Sequence, residues 1–165
     1  MSDQPWQIRK IDLRDGADAA ALLELLDHYA RDPMGGGEGL AEHARRQLVE
    51  ALAEQAGYVG GLAWAGSEAV GLINCFVGFS TFAAQPLLNI HDIVVRNAWR
   101  RRGVGQALLA FAEAEAVRLG CCKLTLEVLS GNEGAMRAYR HAGFQPYELD
   151  PAAGQALFLQ KKLSL

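Results

Sequence analysis

Two short segments carry the chemistry in this chain. In Asn89-Ile90-His91-Asp92-Ile93-Val94-Val95 a histidine and an aspartate interrupt an apolar, strand-like run. Polar groups buried in a central strand are costly unless compensated, so the pair is either a satisfied structural contact or a general base at the cleft end of the strand. The basic turn Arg100-Arg101-Arg102-Gly103-Val104-Gly105-Gln106 follows and opens a helix. Gly103 and Gly105 permit close approach to the backbone. The free N–H groups of Arg102 to Gln106 sit at the positive end of that helix, which suits a diphosphate. It is neither a dinucleotide fingerprint, since position 108 is Leu, nor a Walker loop, since no Gly-Lys-Ser/Thr follows.

A further set lies downstream. Asn132, Ala135, Met136 and Tyr139 recur at i, i+3, i+4 and i+7 and share one helix face, so one ligand can be lined by all of them. Glu127, on the strand Leu124 to Val128, is a carboxylate that could accept a proton from an incoming ammonium, or an outward-facing strand residue. His28, His43 and His141 lack metal-ligand spacing, and no metal is assigned.

The elements that must position these residues follow from periodicity. Trp6 to Leu13 reads as a strand. A helix capped by Asp18 carries Ala21, Leu22, Leu25, Leu26 and Tyr29 at helical spacing and ends at Asp32-Pro33. A glycine-rich loop, Met34 to Gly39, precedes a second helix from about Leu40 to Glu54. Tyr58 to Ala65, Ala69 to Phe79 and Leu88 to Val95 form an antiparallel meander. The helix Gly103 to Leu119 turns Val104, Leu108, Phe111, Ala114 and Val117 to the core. The strand Lys123 to Leu129, the helix Asn132 to His141 and strands near Phe144 to Tyr147 and Ala156 to Lys161 complete the order. Strands flanking a crossover helix are parallel, so Leu88 to Val95 and Lys123 to Leu129 lie side by side in the same direction.

Arg100-x-x-Gly103-x-Gly105, followed by Asn132-x-x-Ala135-x-x-x-Tyr139 and His141-Ala142-Gly143-Phe144, resembles the two signatures of the GNAT superfamily of acetyl-CoA-dependent N-acetyltransferases. The order of elements from Trp6 to Lys161 agrees with that family. The resemblance implies an α/β fold: a mixed, mostly antiparallel sheet whose central parallel strands splay apart, flanked by helices. It implies acetyl-CoA as cofactor, held by Ile93, Val94 and Val95, by Arg101, Arg102, Gly103, Val104, Gly105 and Gln106, and by Asn132, Ala135 and Tyr139. Asn132 would bond the pantetheine arm, and the Tyr139 hydroxyl would point at the thioester sulfur. A bulge in the strand would free the N–H of Val94 or Val95 for the thioester carbonyl. Phe79-Ser80-Thr81-Phe82 and Ala156-Leu157-Phe158 look like the diamine (spermidine/spermine) group, which has Glu-Asp where this chain has His91-Asp92.

The chemistry that fits is direct attack of an amine on a thioester. An alkylammonium has a pKa of ~10.4, so a base such as His91 or Glu127 works on a small deprotonated population. Full proton transfer from tyrosine to a thiolate is uphill by roughly 2 kcal/mol, so hydrogen donation from Tyr139 suffices. The alternatives are a protein lysine or N-terminal acetyltransferase and a non-catalytic acyl-CoA-binding module. Asp27, Asp32 and Glu38 hint at a cationic acceptor.

Composition bounds the rest. The chain has 165 residues, which suits one domain over 1–165, and half are hydrophobic. A net charge of −3 argues against nucleic acid or an anionic membrane as partner; the resemblance implies a small-molecule amine substrate, and a homodimer is left open. The start Met-Ser-Asp-Gln-Pro-Trp has no basic, then apolar leader pattern, so a cytoplasmic location is expected. Cys75, Cys121 and Cys122 lack C-x-x-C spacing and read as small buried thiols.

Overall fold

A central strand that needs both neighbours organises the molecule. The computed structural model describes residues 5–163; residues 1–4, where a leader was sought, lie outside them. The strands are β1 (Gln7–Lys10), β2 (Tyr58–Ala65), β3 (Glu68–Ser80), β4 (Gln85–Val95) and β5 (Leu124–Leu126). They form one sheet in the order β1-β2-β3-β4-β5, antiparallel except for the parallel pair β4 and β5. The helices are α1 (Gly16–Arg31), α2 (Glu42–Ala53), α3 (Val104–Arg118) and α4 (Glu133–His141). No described helix is long and apolar enough to cross a membrane.

The sheet is covered on both faces, which is why β2 and β3 read as nearly continuous apolar runs. On one face α1 and α2 bring Leu22, Leu25, Leu26 and Leu52 against Leu62, Leu72 and Val94. On the other α3 brings Val104, Leu108, Leu109, Ala112 and Ala116 against Ile73, Cys75, Leu88 and Ile90. The α3 stripe differs from the sequence expectation at its end. Repeated steps of three lag a 3.6-residue turn, so Ala114 and Val117 drift into solvent while Ala112 and Ala116 take the core.

The start of α1 also differs. Asp15, not Asp18, is the N-cap, and its carboxylate accepts from the N–H groups of Ala17 and Asp18. Asp18 is fully buried instead, gripped by both guanidinium nitrogens of Arg9 at 2.5 and 2.7 Å and by the Asp12 N–H. This ion pair ties β1 to α1.

The expected C-terminal strands at Phe144 to Tyr147 and Ala156 to Lys161 are absent among the described residues. Only a short 3-10 turn, Pro151–Ala153, interrupts an extended, exposed run after Phe144. A strand exists only with a ladder partner, and this run has none.

Candidate functional site

The site originates in a one-residue irregularity. Across β3 and β4, Asn74 pairs with Asp92 and Cys75 with Ile90, which leaves His91 as the extra residue of a β-bulge. Before it, Leu88 and Ile90 face α3; after it, Val94 faces α1. The bulge sets His91 and Asp92 on the α1 side together. His91 stands edge-on to Phe76 with ring centroids 5.6 Å apart. The Asn74 amide donates to Asp92 at 3.1 Å, and Tyr58 donates its hydroxyl to Asn74 at 2.8 Å. His91 is exposed. The expectation of a buried imidazole is thereby corrected, because a bulged side chain leaves the packed layer.

The bulge also marks where β4 parts from β5, whose pairing covers only Leu88 to Ile90. The Leu88 N–H donates to Lys123 on the β5 side, and the Arg96 N–H donates to Val70 on the β3 side. Donor directions alternate along a strand, so the N–H of Val95 turns into the opened gap. Of the two expected carbonyl donors the ladder favours Val95; Val94 directs its N–H toward β3.

Below the gap lies the start of α3. Arg101 (φ 58°) and Gly103 (φ 85°) adopt left-handed conformations that wrap the turn around its own N–H groups. Gly103 is the N-cap without a side-chain bond, and the first N–H with an intrahelical partner is that of Ala107. The N–H groups of Val104, Gly105 and Gln106 therefore lie in the unpaired first turn. A Cβ built on Gly105 would approach nothing closer than Val95 Cγ2 at 3.8 Å, so bare backbone leaves room that a ligand can use.

A cleft of about 420 Å³ joins these parts. Its walls include Ile93, Val94, Val95, Arg101, Gly103, Gly105, Gln106, Asn132, Ala135 and Tyr139, ten of the expected site residues. Four others lie outside it. Arg102 stacks over the Trp99 ring at 5.3 Å. The Val104 side chain is in the core. Glu127 is exposed beyond β5, and His91 is on the bulge at the α1 side. Asn132 caps α4 by accepting from the Ala135 N–H at 3.2 Å, which leaves its amide N–H groups for a ligand. Gln106 ties α3 to α4 through the Ala138 carbonyl at 2.9 Å.

The cleft also contains residues that the sequence did not mark. Tyr29 read as one more apolar position of α1, yet it lines the cleft together with His28 and Met34, and beside Asp32, which the sequence had marked with Asp27 and Glu38. Burial raises the Tyr29 hydroxyl pKa, helped by the charges of Asp92 and Asp32. Burial, with a smaller contribution from Tyr29, pushes Tyr139 up to about 12. The His28 Nε2 is buried without a partner among the described residues. Arg100 lines the cleft beside Asp32, 3.5 Å away. Asp27, expected to face a cationic substrate, is instead held by Arg31, Arg45 and the Leu40 N–H, which keep its carboxyl well below the usual range.

A sheet that parts at a bulge, above a helix start with unpaired N–H groups, defines an α/β protein whose cleft is lined at one end by backbone donors. The chain belongs to the acetyltransferase (GNAT) family, whose model matches residues 19–144. It is 31% identical over 98 residues to L-ornithine N5-acetyltransferase NATA1 of Arabidopsis thaliana, covering 58% of this chain and 43% of that protein. It is 38% identical over 80 residues to streptothricin acetyltransferase of Streptomyces lavendulae, covering 48% of this chain and 42% of that protein. The matches thus span less than half the length of either relative. Among solved structures, an aminoglycoside acetyltransferase from an uncultured soil metagenomic sample, in complex with sisomicin, superposes with a TM-score of 0.78 at 17% identity over 96% of this chain and 97% of that one. AAC(6')-Iy in complex with a bisubstrate analogue, CoA-S-monomethyl-acetylneamine, superposes with a TM-score of 0.76 at 16% identity over 96% of this chain and 99% of that one.

Proposed function

We propose that this protein transfers an acetyl group from acetyl-CoA to a primary amine of a small cationic molecule, by direct attack with both substrates in the cleft. The observation that carries this reading is the joining, in one cleft, of the unpaired α3 N–H groups, the Val95 edge and Tyr139. Relatives named for ornithine and streptothricin support a small amine acceptor, and polyamines fall within the same class. Acetyl-CoA, when bound, supplies an acetyl group activated as a thioester.

Each residue has a defined task. The first turn of α3 and Arg101 hold the diphosphate. Asn132 orients the pantetheine arm through its free amide. The Val95 N–H stabilises negative charge on the acetyl oxygen. His91, at the bulge, takes the proton of the amine directly or through a water, and Asp92 and Asp32 favour a cationic acceptor on the α1 side. Tyr139 donates a hydrogen bond to the departing sulfur but keeps its proton. Its pKa of about 12 lies well above a thiol's ~8.5.

The test is a screen of ornithine, diamines, aminoglycosides and lysine peptides with acetyl-CoA, read by release of free thiol. Turnover of small cationic amines in preference to peptides is expected. Acetyl-CoA binding without thiol release from any amine would instead make the protein a non-catalytic acyl-CoA-binding module.

A further inference from the structure

β3 carries a polar residue where its neighbours call for an apolar one. Alternation puts Leu72, Asn74 and Phe76 on the α1 side of the strand, where Leu72 and Phe76 pack in that core. Asn74 is buried between them, and an amide there costs free energy unless both its ends are bonded. They are, and chemistry fixes the direction of the bonds. An ionised carboxylate only accepts, so the 3.1 Å contact with Asp92 Oδ2 must come from the Asn74 amide N–H. The amide oxygen is thereby turned to Tyr58, whose hydroxyl donates to it at 2.8 Å. Burial, and to a lesser extent the charges of Cys75 and Asp92, keep that hydroxyl protonated.

The path from Tyr58 through Asn74 commits one oxygen of Asp92 and leaves the other. No described residue donates to Asp92 Oδ1, which stays open to solvent. The neighbouring acids differ. Asp27 is held by Arg31 and Arg45, and Asp32 by Arg100, whereas Asp92 has no cationic partner among the described residues. Tyr29, which lines the cleft, has its hydroxyl pKa raised first by burial and then by the Asp92 charge, so this carboxylate acts on the α1 wall of the cleft. A half-buried carboxylate with one oxygen fixed and the other without a cation is prepared for a cation from outside the chain.

We propose that Asn74 and Tyr58 are positioning residues for acceptor binding: they hold Asp92 so that its Oδ1 receives an ammonium of the amine substrate, next to the His91 bulge. This rests on the reading of the cleft as an amine acetyltransferase site. Asn74 acts through Asp92 and does not touch the amine. A carboxylate already oriented loses little rotamer freedom when the ammonium arrives, so affinity is gained without a further contact. Asp27 and Asp32, already neutralised, contribute less.

The test is a binding cycle on the full chain. Tyr58→Phe combined with Asn74→Leu removes both buried partners together, and Asp92→Asn removes the charge at constant shape. Calorimetry with putrescine and with ornithine, in excess CoA so that no acetyl group is present, should show an amine Kd raised about 10-fold in each, at unchanged CoA affinity. In the triple variant the rise should be no larger than in Asp92→Asn alone, since positioning has no effect once its object is gone. Tyr58→Phe by itself leaves the packing intact and should give a smaller rise that vanishes in the Asp92→Asn background, which keeps the test decisive if the double variant does not fold. Effects that multiply to roughly 100-fold in the triple variant overturn the proposal. So does an unchanged amine Kd in the folded variants, or binding of neither amine by the parent. The expected binding pattern without thiol release from acetyl-CoA overturns the reading of the reaction and leaves the positioning role in place; thiol release with an amine Kd indifferent to Asn74 does the reverse.

Discussion

Asn74 and Asp92 face each other across β3 and β4 beside the bulge, joined by a 3.1 Å side-chain hydrogen bond, while the other end of the Asn74 amide accepts from Tyr58. Asn74 is only 2% exposed, so its amide satisfies polar groups that water scarcely reaches. Asn74→Ala leaves two of them unpaired, each costing about 1–3 kcal/mol. A fall of about 2–4 kcal/mol in unfolding free energy at unchanged m-value is expected from urea titration.

Gly105→Val should abolish acetyl-CoA binding while the protein stays folded. Space for a side chain exists on the protein side, the nearest atom being Val95 Cγ2 at 3.8 Å, so the added bulk projects where a diphosphate would lie. Calorimetry should show no binding heat, with a circular dichroism spectrum like that of the parent.

Tyr139→Phe should lower kcat about 10-fold or more with little change in acetyl-CoA affinity, because the hydroxyl acts as charge develops on sulfur. Since Tyr139 is pushed up to about 12, it stays protonated throughout the usual assay range. The kcat profile should accordingly show no loss attributable to tyrosine ionisation up to about pH 10.

His91→Ala should lower kcat/KM about 10-fold or more with little change in acetyl-CoA affinity, because it removes the group proposed to take the amine proton. The exposed side chain makes the variant safe for folding. An unchanged kcat/KM with one accepted amine would assign the proton to water or another group.

Stability should fall in alkali. Burial pushes Cys75 from 9.0 up to about 12 and Tyr139 from 10.0 up to about 12. Between those values the unfolded chain has lost protons that the folded chain retains, so unfolding free energy declines as pH rises. The decline is about 1.4 kcal/mol per pH unit for each group. It begins near the ordinary thiol value and ends as the folded groups ionise. Cys75→Ala should remove the first part of the decline, measured as urea midpoint against pH.

Local pattern is enough to recognise the meander, the glycine turn into α3 and the Asn132 to Tyr139 face, because periodicity and turn chemistry act within a few residues of themselves. The bulge was less accessible. One extra residue in β4 has no local signature of its own; the resemblance implied a bulge, and its place at His91 becomes visible only when β3 is laid beside it. Tyr29 sits at a core period of α1 but reaches the cleft because the opened end of the sheet lies over that turn. Asp18 has the residue type of a cap, and Arg9, far away in sequence, decides that it is buried. The arm after Phe144 reads as strand because it is apolar, whereas strand formation depends on a neighbour.

The bulge makes His91 a residue that β4 carries outside its own ladder count. Side chains along a strand count in twos, and His91 is the odd unit that changes the parity between Ile90 and Asp92. Deleting His91 would close the bulge and restore plain alternation, with Ile90 and Ile93 still toward α3 and Asp92 and Val94 still toward α1. Substitution at the same position keeps the bulge and changes only the side chain it presents. Position 91 can therefore vary in chemistry, or be lost, while the two sides of the molecule stay distinct.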